Sequence, residues 1–107
     1  MKLKVGDETF SVKVASSDSG RRKGLSGLSK LPPGNGLVLK YEEPTSMTIT
    51  MKGMNFPLDL IFIRDSKVVA VKKAKIWDSD IDIGEPIDMV LEINLGEKGS
   101  IKKGELS

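Results

Sequence analysis

Four stretches of the sequence carry side chains that could do chemistry. The first runs Met51-Lys52-Gly53-Met54-Asn55-Phe56-Pro57-Leu58-Asp59. It sets Lys52 and Asp59 on either side of a turn between apolar runs, with Asn55 inside. Charges at strand ends can be offered to a ligand from the rim of a sheet. The competing reading is local: an aspartate beside a turn accepts backbone N–H bonds, and the lysine stays solvated. The second stretch, Arg21-Arg22-Lys23-Gly24, is either an anion grip or the solvated, basic end of a short helix. The third is the acidic run Asp78-Ser79-Asp80-Ile81-Asp82-Ile83-Gly84-Glu85. If extended, its three aspartates share one face, which calls for a cation or for lysines opposite. Calcium is the ion such oxygens suit, with Asp78, Asp80, Asp82 and Glu85 as its ligands. The EF-hand pattern fails, because glycine falls one place late at Gly84 and Met89 stands where the bidentate glutamate belongs. The alternative is a surface loop balanced by Lys72, Lys73 and Lys75. The fourth is Trp77, the one tryptophan, either a stacking platform for a sugar or base or, as aromatics more often are, a core plug.

Whole classes of chemistry are missing. The 107 residues include no cysteine and no histidine. That removes disulfides, thiolate nucleophiles and thiolate metal sites, and with them the commonest general base. A zinc site or a Ser-His-Asp hydrolase is excluded. No cofactor is implied beyond the calcium option. The 17 basic and 15 acidic side chains leave a formal charge of +2. Nucleic-acid binders need a larger basic excess to neutralise phosphates, so no nucleic-acid partner is expected. Met1 to Asp7 lacks the apolar run of a signal peptide, and Leu58 to Ile63 is far too short to span a bilayer. The expectation is one soluble, cytoplasmic domain over residues 1–107.

The elements that must position these residues follow from period-two alternation. Leu3 and Val5, then Phe10, Val12 and Val14, read as a hairpin turning at Gly6-Asp7. Ser17 to Gly24 reads as the one short helix, with Ser17 as N-cap and Gly24 as stop. Leu31 to Gly36 is a Pro- and Gly-rich loop, and Leu37 to Tyr41 a strand. Met47, Ile49 and Met51 alternate with Thr48 and Thr50, which predicts another strand. Leu58 to Arg64 and Lys67 to Val71 form a hairpin around Asp65-Ser66. Its second strand is expected to continue to Trp77 through a bulge at Lys72 and Lys73. Met89, Leu91, Ile93 and Leu95 alternate with Val90, Glu92 and Asn94 in a last long strand, and Ile101 anchors the tail. Short strands with one helix predict a mainly β, antiparallel sandwich or barrel.

Several of these segments together resemble the family known as domain of unknown function 192. They are Ser17 with Arg21-Arg22-Lys23-Gly24-Leu25, Gly36-Leu37-Val38-Leu39, Met51-Lys52 with Pro57-Leu58-Asp59-Leu60-Ile61-Phe62-Ile63, and Val90-Leu91-Glu92-Ile93-Asn94. Gly99, Ile101, Gly104 and Glu105 match a closing motif. The sequence departs from the pattern at Gly20, where a glutamate is usual, at Ser26-Gly27, and at Thr50, where an aromatic is usual. A common cysteine is absent. Many members are exported and some are carried by bacteriophages. The resemblance implies a jelly-roll-like sandwich with a short helix, and no activity. It points to Arg21, Lys52, Asp59 and Glu92, expected to converge into one charged cluster together with Asn55. Such a cluster is either a buried ion network or a polar ligand pocket.

The leading expectation is a small non-catalytic domain that binds a small molecule or a protein partner. A structural or assembly protein, phage-encoded, is the second reading. An acid–base enzyme using Asp59 and Glu92 with Lys52 is the third, and it requires both carboxylates in one pocket. The sequence does not fix the oligomeric state.

Overall fold

A computed structural model describes residues 1–105. The fold is mainly β with one short helix, as the sequence predicts. The strands are β1 (Lys2–Val5), β2 (Glu8–Ala15), β3 (Asn35–Thr45), β4 (Leu58–Arg64), β5 (Lys67–Ala74), β6 (Ile87–Asn94) and β7 (Gly104–Glu105), with helix α1 (Asp18–Lys23) between β2 and β3. They form one sheet in the order β1-β2-β3-β6-β4-β5-β7.

Local chemistry sets most of the boundaries. The β4–β5 hairpin turns on Asp65 and Ser66, both with positive φ (50° and 61°), the backbone of a tight turn whose twist matches the flanking strands. Helix α1 starts where the Ser17 hydroxyl accepts the Gly20 N–H at 3.0 Å. It stops at Gly24, whose φ of 52° and ψ of −130° suit a residue without a Cβ.

Within this frame the structure corrects several local expectations. The pairing of β2 with β3 is parallel, Ser11 opposite Asn35 and Ala15 opposite Leu39. A parallel pair needs a crossover, and α1 lies in it, which is why the helix packs beside the sheet. Met47 to Met51 is no strand. Ile49 makes one reciprocal bridge to Ile81 (N···O 2.8 and 2.9 Å), and Met51 N–H donates to Asp78 O. The alternation there is real, since Ile49 and Met51 are buried while Thr48 and Thr50 are exposed, but it pairs one loop with another. The bulge falls at Val69, because Phe62 faces Ala70 and Ile63 faces Val68. Lys72 and Lys73 stay in regular register, and β5 ends at Ala74. Trp77 is therefore no core plug: it is 74% exposed, with Lys75 Nζ 5.5 Å from its ring centroid.

The sheet carries an apolar layer on each face. One contains Leu25, Leu39, Ile49, Met51, Leu58, Leu60, Phe62 and Val90. The other contains Val5, Phe10, Val12, Val38, Ile61, Ile63, Leu91, Ile93 and the tail residue Ile101, the anchor the sequence predicts. β4 and β6 lie in the middle and are covered on both sides, so their alternate residues enter opposite layers. No helix among the described residues is long and apolar enough to cross a membrane.

Candidate ligand pocket around Glu92

The register of β4 against β6 decides what the two buried carboxylates can do. Leu60 faces Glu92 and Asp59 faces Ile93. Side chains alternate across a sheet, so Asp59 and Glu92 project from opposite faces. The expected cluster is thus divided by the sheet itself.

On one face, Asp59 is 1% exposed. Its Oδ2 accepts the backbone N–H of Gly96 at 2.9 Å and of Lys98 at 3.2 Å, while Oδ1 has no partner. Asp59 pins the turn after β6 to the sheet, the local role that an aspartate next to backbone donors takes. Asn55 is also structural: its Nδ2 donates to Leu28 O at 2.7 Å and ties two loops together.

On the other face, Glu92 lines a cavity of about 280 Å³. Asp18, Arg21, Arg22 and Lys23 of α1, with Gly24 and Leu25, form one wall; Leu39, Tyr41 and Leu58 form the sheet side; Met47 to Lys52 and Met54 close it. Arg21, Lys52 and Glu92 meet there, whereas Asp59 and Asn55 do not. Asp59 and Glu92, the pair the acid–base reading requires, do not share this pocket; the second carboxylate on its lining is Asp18, which Arg21 engages.

Glu92 is 5% exposed, and its Oε1 has no hydrogen-bond partner. Burial disfavours the charged form and pushes the carboxyl up to about 7 from 4.5. Gly24 lies beside it, where a built Cβ would stand 3.4 Å from Oε1, an ordinary contact; the φ of 52° rather than lack of space calls for glycine there. Arg21 does not neutralise Glu92 by a salt bridge. Its guanidinium donates to Asp18 Oδ1 (2.6 Å), Lys40 O (2.8 Å) and Ser16 O, and lies 4.5 Å from the centroid of the Tyr41 ring. It is a clamp holding α1 to β3, and one wall of the cavity. Burial raises the Tyr41 phenol above its ordinary value, with Arg21 opposing and Glu92 adding to that shift. Arg22, Lys23 and Lys52 are exposed at the rim, and among the described residues none has an acidic partner within salt-bridge distance.

The acidic run does not gather. Asp78 Oδ2 accepts the Lys75 N–H, Asp82 Oδ1 accepts the Gly84 N–H, and Glu85 lies 3.4 Å from Arg64. Asp80 has a positive φ of 54°. Among the described residues no three carboxylates converge as a cation would require.

The sequence reading missed Tyr41 and the methionine wall. Tyr41 lies within β3, which continues to Thr45 beyond the Leu37–Tyr41 strand the sequence predicts, and it carries no distinguishing signal. The methionines did carry one: three of the five in the chain, Met47, Met51 and Met54, fall within one short segment, and all line the cavity. Methionine is the side chain that adapts to irregular binding surfaces. Glu92 sat in the supposedly polar set of its strand, but Val90 in that same set is also fully buried, which marks a strand covered on both faces.

Fold and site together define a small β domain with a pocket over Glu92, and comparison places it in a family. Residues 1–105 match the family DUF192, described as an uncharacterized ACR, and the chain belongs to it. Two solved structures share the fold. A protein of unknown function from Novosphingobium aromaticivorans DSM 12444 superposes with a TM-score of 0.84 at 26% identity, over 92% of this chain and 74% of that one. A protein from Sinorhizobium meliloti 1021, described as a candidate transcription regulator, gives 0.87 at 26% identity, over 98% and 88%. No curated protein matches the chain.

Proposed function

We propose that this chain is a non-catalytic, small-molecule-binding domain whose ligand occupies the cavity over Glu92. One observation carries the reading: a buried carboxyl with an unpartnered oxygen facing a cavity. A buried polar atom left without a partner costs about 1–3 kcal/mol, a cost that a bound ligand or water removes. The cavity combines an apolar wall of methionine, leucine and isoleucine side chains with charged groups from Arg21, Lys52 and Glu92, and convergent polar groups beside apolar walls are what small-molecule sites use to orient a ligand. A volume of about 280 Å³ suits a compact molecule. The regulator described in S. meliloti fits a ligand-sensing role of this kind, and the net charge of +2 argues against direct contact with nucleic acid.

The test is amide NMR mapping against fragments of about ten non-hydrogen atoms, a size set by the cavity. Hits should move the amides of Gly24, Tyr41, Met51 and Glu92 together. Hits that all map elsewhere, or no shifts at millimolar concentration, overturn the reading.

A further inference from the structure

The pocket has three zones of different chemistry, and they restrict what can fill it. At about 30 Å³ per water-sized group, 280 Å³ holds roughly nine such groups. We propose that the ligand is an amphipathic organic anion of about ten non-hydrogen atoms, with its acid group at one end and a hydrogen-bond donor at the other. This assignment rests on the binding reading above.

The donor follows from the deep end. Glu92 Oε1 lacks a partner, and an alcohol O–H or amide N–H would satisfy it. The apolar middle follows from Met47, Met51 and Met54, whose side chains adapt to a slender chain or a small ring. The anion follows from the rim. Arg22, Lys23 and Lys52 stand there without acidic partners among the described residues, and the one rim carboxylate, Asp18, is engaged by Arg21 at 2.6 Å. An ammonium would also suit Glu92, but it must pass that basic mouth. An acid group is drawn to it instead.

Four probes of one chain length separate these elements: ω-hydroxyoctanoate, octanoate, α,ω-octanediol and ω-amino-octanol, each titrated into the full chain and followed by amide shifts. The hydroxy acid is expected to bind at least about tenfold more tightly than octanoate or the diol, since octanoate leaves Glu92 Oε1 without a donor and the diol leaves the basic rim without an anion. The amino alcohol should be weakest. A double change at the exposed rim, Lys23→Gln with Lys52→Gln, should abolish the preference for acid over diol. The Glu92→Met variant should abolish the preference for the hydroxy acid over octanoate. If Glu92→Met does not fold, the comparison of those two probes on the parent chain decides the same point. Equal binding of octanoate and the hydroxy acid overturns the donor. Tight binding of the diol or the amino alcohol overturns the anion, yet leaves a small-molecule pocket standing. If none of the four moves the pocket amides while fragments do, the ligand class is wrong. If fragments fail too, the binding reading itself falls.

Discussion

Asp59 and Glu92 stand on adjacent central strands, one register position apart, and both are almost wholly buried. Each also keeps one oxygen without a hydrogen-bond partner, Asp59 Oδ1 and Glu92 Oε1, and the two differ in what surrounds them. Asp59 looks into the layer formed with Val5 and Ile101, and its Oδ2 receives two backbone N–H groups from the turn after β6. Glu92 looks into the opposite layer, receives no hydrogen bond at Oε1, and borders open space. Two acids of similar burial thus serve different ends. A carboxylate supplied with donors by its own chain holds the fold together. A carboxyl denied them is destabilising where it stands, and is kept where something else can supply the donor.

This contrast can be broken first at Asp59. Asp59→Ala removes two hydrogen bonds to a charged acceptor and leaves the Gly96 and Lys98 N–H groups unpaired, so it should cost about 3–5 kcal/mol in denaturant unfolding. That is a large share of the stability of a small domain. A loss under about 1 kcal/mol would mean that the turn is held by other contacts.

Glu92 should behave in the opposite sense. Its folded carboxyl titrates at about 7 against 4.5 unfolded, so the folded state binds the extra proton between those values. Its contribution is therefore most favourable below about 4.5 and is lost as pH rises to about 7. Glu92→Gln, which keeps the shape without the charge, should gain on the parent across that window and end more stable at pH 8, by on the order of 3 kcal/mol. Parallel pH profiles for parent and variant would show that Glu92 is not held in an unfavourable environment.

Much of the frame is legible in the sequence because short-range chemistry fixes it. Ser17 and Gly24 bound the helix, and Asp65-Ser66 turns the central hairpin, since each acts within a few residues. What depends on distant partners is not. Met47 to Met51 alternates like a strand yet finds only a single bridge to Ile81. Whether β2 pairs parallel to β3 depends on how the crossover closes. The candidate site shows the same division. Arg21, Lys52 and Glu92 do share a cavity, but the opposite projection of Asp59 follows from the β4–β6 register, which no local signal in either strand encodes. Trp77 lies outside the core because β5 ends at Ala74, before reaching it.

The most direct test of the account is the titration of the Glu92 side-chain carboxyl carbon by NMR in the ligand-free protein. A midpoint near 7 is predicted, as befits a carboxyl buried in the pocket without a donor. A midpoint near 4.5 would mean that water or a cation already serves that carboxyl, and would contradict the claim that the pocket is built around an unmet acceptor.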